Sequence, residues 1–395
     1  MTTHDETISR GVTNVIPGER ALADALDSGK KLNVYFGIDP TSTKIHLGHT
    51  VPLRKLQQFA DLGHNVTFLI GDFTALIGDT SDKDSERPAL TFSQIEENFQ
   101  TYKKQAEKVL DFGKITVRYN SEWLKPLTFE DVVRLTQEFA LGDFISRELI
   151  RKRLDSGKRI GLHETLYPIM QGYDSYMMDT DVQIGGTDQI FNMQAGRSLQ
   201  RTRRGKESFI LTTPILEGTD GRKMSKSWGN AVWLDDSAPD MYAKIMAIDD
   251  SLIVPYFTLA TNLPLDKVVK LDEELKHGTH PMEIKKQLAD MLVGELCGPA
   301  DAVRARESFE RVVQQGQLPE DAPVLSYPRH TDKLSLLTLL VDGQLADSKS
   351  EAKRLIEQGG VRLDGEKITD PDQEIDTTKG HALQIGKTRS FRFTS

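Results

Sequence analysis

Two histidines, His46 and His49, stand three residues apart after a β-rich run and Asp39-Pro40-Thr41, just ahead of a helical pattern expected to carry Pro52 in its first turn. A helix start placed after a strand offers unpaired backbone N–H groups to an anion, and imidazoles beside it add donors suited to phosphate oxygens. Gly48, between the histidines, lets a flat ligand such as adenine approach the backbone where any Cβ would obstruct it. A core histidine pair and half of a zinc site are the competing readings of that spacing. Far downstream, Gly221-Arg222-Lys223-Met224-Ser225-Lys226-Ser227 sets two lysines three apart in a polar loop. Paired ammonium groups of this kind can close over a triphosphate, while a solvated basic turn is the ordinary alternative.

A further group lies on a helix. Tyr167, Gln171 and Asp174 fall at i, i+4 and i+7, so one face carries all three. That face is either a polar pocket wall or a half-buried packing surface with satisfied polar tips. Gln183-Ile184-Gly185-Gly186-Thr187-Asp188-Gln189 follows shortly after it, and Ile77-Gly78-Asp79-Thr80-Ser81 precedes it as what could be an ordinary polar loop. Two segments are locally basic. Residues 197–206 end a helical pattern with Arg203 and Arg204, where the macrodipole favours cations whatever the function; contact with an RNA stem is the sharper hypothesis. Residues 349–362 align Lys349, Lys353, Arg354 and Arg362 along a helix, a Gly-Gly turn and a strand, either as a phosphate-contacting patch or as a solvated basic helix face. Acidic residues nonetheless outnumber basic ones by one across 331–395, so that patch depends on arrangement rather than bulk charge.

The elements that must position these groups alternate. Short β-rich runs at 32–37, 66–71, 115–119 and 182–185 are separated by helical patterns at 52–62, 92–110 and 166–178. Such alternation predicts an α/β fold with a doubly wound parallel sheet across 31–230. After Asp236 helices alone are expected, with Pro239, Pro255, Pro264 and Pro281 where they start or break. Residues 316–328 read as a linker, and a compact αβ pattern runs from there to Ser395.

The length of 395 residues suits two or three domains, and no apolar run is long enough to span a membrane. With no leader pattern at the start and one cysteine, Cys297, a cytoplasmic protein without internal disulfides or a cysteine-based metal cluster is expected. The net charge of −9 argues against bulk electrostatic capture of nucleic acid, so any RNA contact must be local.

Taken together, His46–His49 and Lys223–Ser227 resemble the HIGH and KMSKS signatures of class I aminoacyl-tRNA synthetases, in the right order. Tyr167–Asp174 and Gln183–Gln189 resemble the pocket segments of the tyrosyl family, and 345–365 resembles the S4 RNA-binding module. The resemblance implies a Rossmann-like catalytic domain over 1–236, an α-helical anticodon-side domain and linker over 237–328, and an S4-like domain over 329–395. It implies ATP and L-tyrosine as substrates with magnesium on the triphosphate, tRNA(Tyr) as partner, a homodimer, no tightly bound cofactor and no protein-held metal.

By the same resemblance Thr41, His46, His49, Lys223 and Lys226 are the catalytic donors. Tyr35 and Asp174 would read the phenol hydroxyl, and Tyr167, Gln171 and Asp79 the α-ammonium group, with Asn120 and Gln189 as further pocket residues. Asp39, Gly48, Gly186 and Asp188 belong to the nucleotide side. Phe36 departs from the pattern, since some members place a small polar residue there near the ribose. A tryptophanyl enzyme is disfavoured by the Tyr35/Asp174 pair and the S4-like tail. A catalytically silent RNA-binding paralogue is disfavoured because every signature residue is present.

Overall fold

The computed structural model describes residues 3–40, 43–78, 91–225, 228–314, 322–327, 331–386 and 389–394. The chain divides into two compact units, Met1–Pro299 and Ala300–Ser395. In the first, strands β1 (Asn14–Ile16), β2 (Asn33–Ile38), β3 (Asn65–Ile70), β4 (Ile115–Tyr119), β5 (Val182–Gly186) and β6 (Phe209–Thr213) form one sheet in the order β1-β6-β5-β2-β3-β4. All pairings are parallel except that of β1 with β6. From β2 the chain builds outward through β3 to β4, then returns to lay β5 and β6 on the other side. β2 and β5 are therefore neighbours whose following segments leave in opposite directions, which opens a crevice at their carboxyl ends.

Burial on both faces explains the near-continuous apolar runs. Val34, Tyr35 and Phe36 are buried on β2, Phe68, Leu69 and Ile70 on β3, and Val182 and Ile184 on β5. The expected strands are present with ends shifted by about one residue, within the ordinary latitude of such boundaries. β1 has only three residues and β6 follows a basic turn, and neither was among the expected strands.

The first site helix differs more. It spans Leu47–Asp61, with His46 as its extended N-cap, so Pro52 sits inside it rather than in its first turn. A proline there removes the bond to the carbonyl four residues earlier, here that of Gly48 in the first turn, and its ring crowds that carbonyl. Both histidines thus belong to the helix start itself. The pocket helix Tyr167–Met177 lies against helix Ile190–Arg204, and glycines set how close the two come. A Cβ on Gly172 would meet the backbone of Ala195 at 3.0 Å, and one on Gly196 would meet Ser175 Cβ at 2.7 Å and Gln183 Oε1 at 2.6 Å.

Beyond β6 the first unit is helical, with Ala238–Met246, Ile253–Ala260, Leu265–Lys276 and Pro281–Leu296. Pro239 and Pro281 stand at helix starts, Pro264 is an N-cap, and Pro255 lies in the first turn of Ile253–Ala260. Arg10 ties the N-terminal segment to this part by donating to the carbonyls of Phe257, Thr258, Thr261 and Leu263 at 2.6–3.1 Å, satisfying a helix end.

The second unit contains helices Leu336–Asp342 and Lys349–Glu357 and a five-stranded sheet around a core that includes Leu339, Ile356, Leu383 and Phe393. Gly359 takes φ +68° to end the second helix, and Asp364-Gly365, both at positive φ, turn strand Val361–Leu363 into Glu366–Ile368. The expected linker is not wholly irregular. Val324–Ser326 is a strand paired parallel to Arg389–Thr394, while residues 315–321 and 328 lie outside the described residues.

Candidate active site

A cavity of about 1220 Å³ occupies the crevice, reaching from Tyr35 and Asp174 at one end to His46, His49 and Lys223 at the other. Tyr167, Gln171 and Asp174 all line it, so the i, i+4, i+7 face is a pocket wall. Asp39, Gly48, Asn120, Gly186, Asp188 and Gln189 line it as well. Thr41, Asp79 and Lys226 lie outside the described residues.

At the histidine end the backbone N–H of His46 donates to His49 Nδ1 at 3.2 Å, and the two ring centroids lie 3.7 Å apart. Because His49 Nδ1 accepts, a neutral His49 carries its proton on Nε2 and can donate there. Burial, then His49, then Lys223 drive the His46 imidazole down to about 2; burial and Lys223 bring His49 down to about 4. Both are neutral at pH 7. The positive charge acting on both comes from Lys223. His46 Nδ1 is buried without a hydrogen-bond partner. A Cβ on Gly48 would come within 3.0 Å of the His46 ring, so this glycine first of all makes room for a histidine.

A chain of hydrogen bonds runs along the cavity from Asp39 to Asp174. Asp39 accepts from Tyr167 Oη at 2.9 Å and from Thr74 Oγ1 at 2.7 Å. Thr74 Oγ1 accepts from Asn120 Nδ2 at 3.0 Å, and the same nitrogen reaches Asp174 Oδ2 at 3.2 Å. Trp123 Nε1 donates to Asp174 Oδ1 at 2.7 Å. Asp39 and Tyr167, assigned by resemblance to different parts of the ligand, are here bonded to each other. Asn120 is fully buried and acts as a strut between Thr74 and Asp174. Tyr35 Oη donates to Gln183 Oε1 at 3.2 Å, and Gln183 is held by the Met193 carbonyl at 3.0 Å. Phe36 is buried and stacks on Phe68 with ring centroids 6.2 Å apart.

Thr74, Trp123 and Gln183 escaped the sequence reading. Thr74 lies 46 residues from Asn120 and Trp123 51 residues from the carboxylate it supports, so no local spacing advertises either contact. Gln183 begins the segment 183–189, yet it is the contact with Tyr35 that gives it a role.

The basic residues are distributed differently. Arg203 Nε donates to Glu138 at 2.6 Å, and Arg204 stacks on Tyr176 at 4.4 Å and donates to its carbonyl. Lys349, Lys353, Arg354 and Arg362 are exposed on the second unit, with Arg362 donating to the Gly365 carbonyl and Lys353 3.7 Å from Glu357.

A doubly wound sheet with these signatures at its switch point defines the class I aminoacyl-tRNA synthetases. Residues 27–314 match the family of class I tRNA synthetases for W and Y, and residues 336–379 match the S4 domain. The chain is 43% identical over 390 residues to the tyrosine–tRNA ligase of Desulfotalea psychrophila, covering 97% of this chain and 96% of that one. It is 40% identical over 389 residues to the tyrosine–tRNA ligase of Thermotoga maritima, covering 98% and 96%. A tyrosyl-tRNA synthetase of Archaeoglobus fulgidus solved with L-tyrosine shares the fold at a TM-score of 0.61 and 24% identity, covering 77% of this chain and 99% of that one. The chain belongs to the tyrosyl-tRNA synthetase family with a C-terminal S4 domain.

Burial pushes the Asp174 carboxyl up to about 7 against the bonds from Trp123 and Asn120. A phenol that donates to this group binds its ionised form, and an ionised acceptor makes the stronger bond. Tyrosine affinity should then be full above about pH 7 and fall about tenfold per unit below it, whereas phenylalanine, lacking the hydroxyl, should show no such loss. Isothermal titration between pH 5.5 and 8.5 checks this; affinity that rises on acidification would mean that protonated Asp174 is the donor instead.

Proposed function

We propose that the chain activates L-tyrosine with ATP and transfers it to the 3′-terminal ribose of tRNA(Tyr), using the crevice for both steps. A carboxylate oxygen of tyrosine attacks the α-phosphorus, the bond from that phosphorus to the bridging oxygen breaks, and pyrophosphate leaves with the electron pair. A ribose hydroxyl of the tRNA then attacks the carbonyl carbon of the adenylate, and AMP departs. No covalent bond to the protein is needed, so the work is positioning and charge stabilisation. The observation that supports this most is the hydrogen-bonded chain from Asp39 to Asp174, which gives one cavity a polar end for a phenol and another for a nucleotide.

In this reading Asp174 and Tyr35 hold the phenol, with the Tyr35 hydroxyl turning from Gln183 to the substrate. Tyr167, Gln171 and Asp79 receive the ammonium group, with Asn120 and Gln189 behind them. His46, His49, Lys223, Thr41 and Lys226 face the phosphates, and Asp39, Gly48, Gly186 and Asp188 the adenosine. Magnesium is assigned to the ATP substrate, where it would offset charge on the triphosphate. Residues 1–236 would do the chemistry, 237–328 face the anticodon side and 329–395 bind RNA. We place the protein in the cytoplasm, where cell fractionation should recover it with free ATP and tRNA; no described helix is long and apolar enough to cross a membrane.

The homodimer draws support from Phe129, Leu141 and Leu162, which are 85%, 61% and 79% exposed, with Val133, Ile145 and Leu154 also exposed in the same stretch. Large apolar side chains gathered this way suit a self-complementary interface. Sedimentation of the protein should give a dimer, and a Phe129→Asp/Leu162→Asp variant a monomer of the same helical content. A wild-type monomer at micromolar concentration would remove the proposal.

Amino-acid-dependent exchange of labelled pyrophosphate into ATP tests the activity. Tyrosine should support exchange and neither phenylalanine nor tryptophan should at equal concentration. In the same preparation, replacing Arg354 and Arg362 with alanine should cut tRNA charging about tenfold at physiological salt while exchange is unchanged; Arg203→Ala/Arg204→Ala should do likewise if release from Glu138 and Tyr176 frees them for the acceptor stem. Exchange with tryptophan would overturn the pocket assignment, absent exchange the catalytic one, and unchanged charging the RNA contacts.

A further inference from the structure

The loop that carries Lys223 is organised around one side chain. Asn230 is 3% exposed, and both ends of its amide are engaged. Nδ2 donates to Asp220 Oδ1 at 2.7 Å and to the Lys223 carbonyl at 3.2 Å, with the Arg222 carbonyl at 3.4 Å; Oδ1 accepts from the Ser225 backbone N–H at 2.9 Å. An N–H donor on one side and carboxylate and carbonyl acceptors on the other fix which end of the amide is which. The Asn230 carbonyl accepts from Thr219 N–H at 3.0 Å. A Cβ on Gly218 would lie 2.6 Å from Asn230 Nδ2, so the turn closes on this side chain with no room to spare.

The outer side of the same loop is held separately. Arg222 Nε donates to Asp220 Oδ2 at 2.9 Å, and its guanidinium stacks on the Trp228 ring at 4.5 Å. Lys223 also pairs with Glu217 as a β-bridge, and the Glu217 carbonyl accepts from Tyr256 Oη at 2.8 Å. The backbone on either side of Met224 is thus fixed from within by Asn230. The Lys223 ammonium sits at the end of a flexible four-carbon stem, and where it can reach is decided by the backbone that carries it. Aspartate at 230 could not donate to the Lys223 carbonyl and would face Asp220 with like charge; serine has only one donor.

We propose that Asn230 is a positioning residue for adenylate formation: by holding the Lys223 carbonyl and the Ser225 N–H it sets where the Lys223 ammonium meets the triphosphate. The role of Lys223 itself rests on the function proposed above. Asn230 is not among the residues that line the cavity, so its action is through the loop. The proximity of Lys223 to the signature histidines agrees with it, since its charge is felt by both imidazoles.

A double-mutant cycle on the full-length protein tests this by pyrophosphate exchange, with tyrosine affinity and thermal midpoint measured alongside. Asn230→Ala should lower kcat about 10- to 100-fold, the scale of a misplaced catalytic group, with tyrosine affinity unchanged within about twofold. In a Lys223→Ala background the same substitution should cost little more, because the group it positions is gone. Where Asn230→Ala does not fold, Asn230→Asp keeps the shape and the Ser225 bond and enters the same cycle. Losses that multiply across the cycle, equal loss of tyrosine affinity, or an unaffected kcat would each overturn the proposal. A fully active Lys223→Ala protein would show that the assignment of Lys223 had failed, and the proposal would fall with it.

Discussion

Asp174 is an acid buried at the base of a crevice, and much of the surrounding structure serves to keep it usable. A lone carboxylate there would hold its proton through the physiological range, because burial penalises the charged form. Trp123 and Asn120 oppose that with two donated bonds, leaving the group balanced near neutrality. Asn120 is in turn held by the Phe73 N–H and Thr74, and Thr74 by Asp39 at the other end. A substitution anywhere along this chain leaves a buried polar atom without its partner, which costs more than the bond itself is worth.

The nucleotide end follows another rule. His46 and His49 begin a helix and are both neutral, so in the proposed reaction they would offer donors without adding fixed charge to the crevice. The positive charge comes from Lys223, on a separate loop. That division suits a reaction in which charge moves from the α-phosphate to the departing pyrophosphate, since donors placed in advance need no reorganisation while a lysine can follow the leaving group. The same economy appears at the scale of the whole chain. With a net charge of −9 the protein cannot rely on bulk attraction to RNA, and its exposed cations are gathered in small groups such as Lys349, Lys353, Arg354 and Arg362.

Much of this was legible in the sequence, and what was missed has physical reasons. The strands announced themselves because a sheet buried on both faces must be written in apolar runs, and the pocket wall because helical spacing puts Tyr167, Gln171 and Asp174 on one side. The start of helix Leu47–Asp61 was misjudged because Pro52 usually marks a first turn, whereas here its missing bond falls on the carbonyl of Gly48. Val324–Ser326 was hidden among linker-like residues because a three-residue strand is recognised only through its partner, which lies at the far end of the chain. Trp123, Thr74 and Asn230 were invisible for a related reason. Each supports a functional group through one side chain, and such support leaves no periodic trace.

The account stands on the claim that a single cavity reads a phenol at one end and a nucleotide at the other. A crystal structure of the protein with a non-hydrolysable tyrosyl-adenylate analogue addresses it most directly. The account requires the phenol oxygen within about 3 Å of the Asp174 carboxylate, the phosphate analogue against His46 and His49, and the adenosine beside Gly186 and Asp188. A phenol lodged elsewhere, with Asp174 still bonded only to Trp123 and Asn120, would contradict it.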